Sequence, residues 1–290
     1  MKPYAPQWII DECNLLGLRI LNAQRIGRGS VGESWQITTT YSKLFFKKVI
    51  TNKDYSTFNQ IITSTGIQQL LPVNFTLKIK KYGYIQYYLW IDGIVLSEFS
   101  SDIECIFNIA KEIHCIKTDY KRKSSYLNIF DEINSFSTND ILSLPTNVQK
   151  DIDHSISIII NKLSPKFLAE MCDNCGFITH GDIKPLNVVR TNIDSFRLID
   201  WDKICTVSRE FDIAYMIYTG IRNNIFYLDF YDNLSAYFDL KSIDKISLIL
   251  EYLPHIYLLH DVYNYTLKKE SDYLLNDVYP MYISWRDIQK

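Results

Sequence analysis

The sequence has no run of about 18 or more uncharged apolar residues, so a membrane-spanning helix is not expected. It also has no excess of positive charge. The formal net charge is -2 and the pI about 6.2, whereas a nucleic-acid-binding domain carries a basic footprint. The opening stretch MKPYAPQWIIDECN reaches Asp11 and Glu12 before the apolar core of a signal peptide can form. These absences together describe a soluble, cytoplasmic protein with no nucleic-acid partner and no membrane span. The six cysteines are scattered. Cys172 and Cys175 make a C-x-x-C, but no second Cys or His pair at matching spacing completes a zinc site, and a chain of this size needs no disulfide staples. Internal repeats, low-complexity tracts and Pro/Gly linkers are missing too.

What is present is a chain of 290 residues, 47% of them hydrophobic, enough for one large domain or two lobes. The division shows in the type of element. Residues 18–91 read mostly as strands. SWQITTT and KLFFKKVI are rich in β-branched and aromatic residues and are joined by a turn at YSK. NFTLKIKKYGYIQYYLWI reads as a further hairpin turning near Tyr82-Gly83, and a helix is expected over 54–65. From about residue 100 the period becomes helical: Ile103, Ile106, Phe107, Ala110, Ile113 and His114 share one face. Pro165 and Pro254 each predict a break or kink, and a short β island covers 177–200. The reading is an α+β protein with an N-terminal lobe over 1–92, built on a small antiparallel sheet, and a larger, mainly helical C-terminal lobe over 93–290.

Gly27, Gly29 and Gly32 form G-x-G-x-x-G in IGRGSVGESWQI. A dinucleotide site of this pattern needs a helix immediately afterwards; here a strand follows. Glycines at a turn between antiparallel strands let backbone N–H groups reach phosphates without Cβ atoms in the way, as in the nucleotide-covering loop of kinases. An ordinary glycine-rich hairpin is the alternative. Ser30 lies at the tip. Such a loop calls for a cation on the neighbouring strand, and LFFKKVI offers Lys47 and Lys48. Alternation lets only one of them face inward; Lys47 is favoured and Lys48 stays open.

In HGDIKPLNVVR, strand-like GFIT delivers Asp182, and Asn187 follows five residues later. A polar turn, TNIDS, then connects VVR to FRLID, which ends on Asp200. A hairpin of this shape would gather Asp182, Asn187 and Asp200 at its base. Asp182 can accept the proton of an attacking hydroxyl. Mg²⁺ prefers oxygen ligands, and Asn187 and Asp200 supply a neutral and an anionic one. Lys184 can neutralise charge on a transferring phosphoryl group. Asp202 either assists the metal or holds the loop.

H-G-D-x-x-x-x-N followed by I-D-W-D resembles the paired motifs of the aminoglycoside phosphotransferase and choline kinase superfamily, which shares the protein-kinase-like fold. The resemblance covers roughly residues 20–220. It implies ATP or GTP as co-substrate with Mg²⁺ as cofactor, and transfer of the γ-phosphoryl group to the hydroxyl of a small-molecule acceptor. Asp182 and Lys184 would be catalytic and Asn187 and Asp200 metal-binding. Gly27, Gly29, Ser30, Gly32 and Lys47 would hold the nucleotide. In such a fold YYLWIDG marks the hinge, making Trp90 and Asp92 candidates for flanking the base; a strand end that packs and turns is the alternative. EIHCI resembles a helix motif in which His114 packs. EFDIAYM resembles a segment in which Asp212 caps a helix and anchors the catalytic loop. His180 would brace that loop without touching substrate.

The match is incomplete. No Glu occurs between Glu33 and Glu98, so the usual acidic partner of the strand lysine is missing, which favours a weakly active, regulatory binding module as one alternative. GDIKPLN resembles the catalytic loop of Ser/Thr protein kinases, the other alternative. Against it, only eleven residues separate Asp200 from Asp212, with no activation segment. The acceptor pocket is expected to draw on residues 215–290. There aromatics such as Tyr215, Tyr218, Tyr263 and Trp285 either pack the core or hold a cation, and Asp229, Asp232, Asp261 and Asp277 either face solvent or attract an amine. Aminoglycoside, amino-alcohol and sugar-like acceptors all remain open.

Overall fold

The structure, a computed structural model, describes residues 5–29, 32–49, 75–79, 83–96, 103–136, 141–192, 195–220, 234–235, 238–268 and 274–288. The chain divides into two compact units, Met1–Ile94 with Val189–Ile199 and Val95–Val188 with Asp200–Lys290. The predicted helix over 54–65 lies outside the described residues, as does Ser30.

The first unit opens with a helix the sequence reading did not anticipate, α1 (Gln7–Leu15). Strands β1 (Ile20–Gly29), β2 (Gly32–Thr39), β3 (Lys43–Val49), β4 (Phe75–Ile79) and β5 (Gly83–Leu89) form an antiparallel sheet of order β1-β2-β3-β5-β4. Strand period fixes its two faces. Trp35, Ile37, Leu44, Phe46, Ile85 and Tyr87 share one face, and Trp8, Ile9 and Cys13 of α1 join them in a buried apolar cluster. Phe45 lies on the opposite face, stacked on Tyr88 with ring centroids 4.6 Å apart. The β2–β3 turn is closed by Thr39, whose hydroxyl accepts the Tyr41 and Ser42 amides at 3.2 and 3.1 Å.

A three-stranded sheet of order β6-β7-β8 holds β6 (Ile94–Val95), β7 (Val188–Asn192) and β8 (Ser195–Leu198), the hairpin expected between VVR and FRLID. Gly93 belongs to this meeting point: a Cβ there would run into the Arg190 carbonyl and the Val189 side chain.

The second unit is mainly helical. Helix α2 (Ile103–His114) buries Ile106, Phe107, Ala110, Ile113 and His114, the face its period predicted. Short α3 (Ile129–Asn134) precedes α4 (Thr146–Lys162). The break expected at Pro165 is seen: α5 (Pro165–Met171) restarts there, with Ser164 accepting the Phe167 amide and Pro165 at the first helical position, where its missing N–H costs nothing. Next come α6 (Arg209–Gly220), α7 (Leu240–Lys268) and α8 (Tyr279–Ile288). The break expected at Pro254 is not seen, since α7 runs through it over 29 residues. Packing explains why: Leu250, Leu253, Ile256, Tyr257 and Leu258 around the proline are all buried, and that burial outweighs the ~3 kcal/mol a proline costs inside a helix. GFIT is not a strand either. Phe177 makes only an isolated bridge to Lys117, and the segment is held by single contacts such as Ile178 N–H to the Ile116 carbonyl, 2.9 Å. Among the described residues no helix is long and apolar enough to cross a membrane, and all six cysteines are free.

Candidate active site

The turn from His180 to Asn187 is irregular backbone inside a packed unit, so its polar groups need partners. Asp212, fully buried in the first turn of α6, supplies two: its Oδ2 accepts the His180 amide at 2.7 Å and its Oδ1 the Gly181 amide at 2.9 Å. His114 Nε2 lies 3.1 Å from the same Oδ2. The helix cap itself is not Asp212 but Ser208, whose hydroxyl accepts the Phe211 amide at 3.1 Å, because the helix starts at Arg209, ahead of Asp212. Thr219 donates to the Ile183 carbonyl at 3.2 Å. His180 Nδ1 accepts the Asp182 amide at 3.2 Å, and the imidazole packs on Trp201 with centroids 4.5 Å apart.

On this anchored loop the structure brings Asp182, Lys184 and Asn187 together. The Asn187 amide donates to the Asp182 carbonyl at 2.9 Å and to Asp182 Oδ2 at 3.0 Å. Lys184 Nζ sits 3.1 Å from the same Oδ2. With its nitrogen committed to two acceptors, Asn187 keeps its own side-chain oxygen for other partners. Asp182 Oδ1 is buried with no hydrogen-bond partner among the described residues; its nearest cation is Lys203 Nζ, 3.6 Å away. Burial pushes the Asp182 carboxyl up, but Lys203, Lys184 and His180 outweigh it and hold the group well below the usual carboxylate range. Burial likewise works against the Lys203 charge, and Asp182 and the Tyr126 hydroxyl at 3.4 Å overcome it, so Lys203 stays protonated.

Lys203 was not singled out from the sequence, although it directly follows I-D-W-D. Its environment includes the rings of Tyr126 and Tyr215, 5.4 and 5.9 Å from Nζ. Burial raises the Tyr126 hydroxyl to about 12. The missed signal was a third cation beside a conspicuous acid, hidden because Lys203 is 21 residues from Asp182 in sequence.

Asp200 stands at the head of the three-residue turn Trp201–Lys203 with φ +62°, a left-handed conformation uncommon for a non-glycine residue. Cys205, at φ +59°, repeats it. Arg122 fixes this turn by donating to the Asp202 carbonyl at 2.8 Å. Such conformations cost of order 1–3 kcal/mol each and persist at functional sites.

In the first unit, β1 and β2 pair up to Gly29 opposite Gly32, with a register shift between Arg25 and Gly27. Of the two candidate lysines, Lys48 pairs with core residue Ile85 and is half-buried. Lys47 pairs with Ser34 and Gln86 on the face opposite the core and is 7% exposed. Trp90 extends the β3–β5 ladder by donating its amide to the Lys43 carbonyl at 2.9 Å. Asp92 pairs with Lys43 at 3.0 Å, both largely exposed, a contact worth at most about 1 kcal/mol. Tyr215 and Tyr218, offered as acceptor aromatics, are core residues 0% and 1% exposed.

A small antiparallel sheet unit and a mainly helical unit that carries an anchored Asp-x-Lys-x-x-Asn loop are the elements of the protein-kinase-like fold. Solved structures bear this out. The choline kinase LicA of Streptococcus pneumoniae superposes with a TM-score of 0.62 at 17% identity, over 97% of this chain and 99% of that one. Spectinomycin phosphotransferase APH(9)-Ia, in complex with ADP and spectinomycin, gives 0.65 at 15% identity, over 98% and 94%. A Plasmodium vivax ethanolamine kinase gives 0.57 at 16%, over 97% and 86%. No protein-family model and no curated protein matches the chain in sequence.

Proposed function

We propose that the protein is an O-phosphotransferase that moves the γ-phosphoryl group of ATP or GTP to a hydroxyl of a small molecule. One observation carries this reading: Asp182 is held ionised with one oxygen occupied and the other, Oδ1, left without a hydrogen-bond donor. A buried ionised oxygen that still lacks a hydrogen-bond donor is suited to orienting the acceptor hydroxyl and taking its proton. Lys184 and Lys203 place positive charge where the transferring phosphoryl group gathers negative charge. Gly27, Gly29, Ser30, Gly32 and Lys47 hold the nucleotide phosphates, with Trp90 and Asp92 assigned to the base. We assign the nucleotide to residues 1–92 and catalysis and the acceptor to residues 93–290.

The donor set fits magnesium. Among the described residues no group of three or more His, Cys, Asp or Glu could hold a metal alone, and Mg²⁺ in such sites takes only one or two protein oxygens beside phosphates and water. Asn187 Oδ1 and the Asp200 carboxylate would supply them, and the ion would neutralise triphosphate charge. The neighbours that bind ADP with spectinomycin, or act on choline and ethanolamine, support a small acceptor. So does the short path from Asp200 to α6 at Arg209, which leaves no length for a peptide-binding activation segment.

Consumption of ATP and GTP with Mg²⁺ against a panel of aminoglycosides, amino alcohols and sugars tests the proposal. Nucleotide consumption that depends on one of these acceptors supports it. Phosphate appearing only on added proteins would replace it with the protein-kinase reading, and nucleotide binding without transfer to anything with the regulatory-module reading.

A further inference from the structure

Lys203 sets a cation of the chain's own beside the base. Its ammonium lies 3.6 Å from Asp182 Oδ1, the oxygen assigned to the acceptor hydroxyl. It also lies over the rings of Tyr126 and Tyr215, 5.4 and 5.9 Å from their centroids. Both rings are braced from behind. His260, held by Glu132 at 2.9 Å, packs on Tyr126 with centroids 5.5 Å apart, and Tyr257 meets Tyr215 edge-on at 5.6 Å. Burial works against the Lys203 charge; Asp182, then the Tyr126 hydroxyl and Asp261 of α7, hold it. Aromatic faces and carboxylates are what a protein uses to hold a ligand's ammonium. In this site Lys203 occupies them. Lys184, 3.1 Å from Asp182 Oδ2, is a second ammonium at the same base.

Each of the two carboxylates keeps one oxygen for a ligand. Asp182 Oδ1 and Asp261 Oδ2 are buried with no hydrogen-bond partner among the described residues, and buried acceptors of this kind call for a donor. Burial disfavours the Asp261 charge, and His260, Lys203 and Lys184 oppose that, which puts Asp261 in the same site. We propose that Lys203 fills the cation position of the acceptor site, so that the acceptor is an uncharged, sugar-like polyol and alcohols bearing an amine are turned away. One hydroxyl donates to Asp182 Oδ1 and a second to Asp261 Oδ2. An ammonium could donate to the same oxygens, but it would come up against Lys203 and Lys184, and juxtaposed like charges reject a partner. The inference deepens the phosphotransfer reading and rests on it for the acceptor; the cage around Lys203 does not depend on it.

Two measurements on the full chain test it. In the first, transfer by the wild type at neutral pH is compared within matched pairs, glucose with glucosamine and glycerol with serinol. The uncharged member is preferred by about tenfold or more in kcat/KM, and Lys203→Met, which keeps the reach of the side chain without its charge, narrows the gap. Equal use of both members by the wild type, or preference for the amine, overturns the acceptor assignment. In the second, Lys203→Ala vacates the cage. Ethylammonium chloride then raises the melting temperature of this variant saturably above that in equal sodium chloride, as mass action requires of a bound ligand. Propanol does not, and neither the wild type nor Lys203→Met responds to ethylammonium. No rise in Lys203→Ala, or the same rise in the wild type, overturns the cage. If Lys203→Ala does not fold, the wild-type pairs and Lys203→Met decide. Stabilisation of Lys203→Ala by ethylammonium with no acceptor phosphorylated would sink the phosphotransfer reading and leave the cage standing.

Discussion

Gly181 lies directly against the main chain of Lys203: at φ +82° it occupies a conformation that side-chain-bearing residues avoid, and a Cβ there would run into the Lys203 carbonyl oxygen and Cβ. The glycine of H-G-D is therefore what lets the His180–Asn187 turn and the Trp201–Lys203 turn close on each other, bringing Lys203 within 3.6 Å of Asp182.

Gly181→Ala should cost both backbone strain, roughly 1–3 kcal/mol, and the displacement of Lys203. The expected result is a melting temperature several degrees lower and a greater proportional loss of kcat. A variant that melts and turns over as wild type would show that the two turns need not touch.

Asp212→Asn tests the anchor. An amide oxygen can accept one loop amide, but its NH2 faces the other as donor to donor. Leaving a buried N–H unpaired costs about 1–3 kcal/mol. Amide exchange at His180 and Gly181 should accelerate while α4 and α7 stay protected. Uniform acceleration across the unit would instead mean that Asp212 stabilises the whole unit rather than the loop.

Two groups should shape the pH dependence of stability in opposite senses. Burial lowers His255 to about 4, so below the ordinary imidazole value near 6.5 the unfolded chain takes up a proton that the folded chain refuses. Stability from this group falls as pH drops from about 6.5 to 4. Burial raises Asp261 to about 6, so the folded chain holds a proton there that the unfolded chain has released. Stability from this group therefore rises as pH drops from about 6 towards 4. Urea titrations between pH 4 and 7 should show little net slope in wild type and a steeper acid loss in Asp261→Asn. A slope unchanged by that substitution would remove Asp261 from the account.

Lys47→Met exchanges the ammonium for an apolar side chain of similar reach, and the ligand-free variant should still melt cooperatively. The thermal shift induced by ATP with Mg²⁺ should shrink markedly. If Lys48→Met loses the shift and Lys47→Met keeps it, the nucleotide lysine is the other one.

Much of this was legible before the fold. The G-x-G-x-x-G hairpin, the Asp-x-Lys-x-x-Asn turn and the α2 face follow from local rules of spacing and period. The choice between Lys47 and Lys48 did not, because strand alternation fixes only that they differ; the partner on β5 decides, Ile85 for Lys48 and Gln86 for Lys47. Helix α1 was not anticipated: its stretch was weighed only as a signal peptide and rejected, and its apolar side is explained only by the sheet it packs on. Lys203 was invisible for a different reason: its role depends on a left-handed Asp200 and on the space a glycine leaves at 181. Pro254 does not break α7, because tertiary burial offsets the local cost of the proline.

Steady-state transfer of the γ-phosphoryl group to the best small-molecule acceptor, in wild type and in Asp182→Asn, bears most directly on the central claim. The expected result is a loss of about 10²–10⁴-fold in kcat, with the ATP-induced thermal shift retained and the ligand-free melting temperature lowered, because partly buried Lys203 loses its counter-charge. A variant that transfers phosphate at the wild-type rate would contradict it.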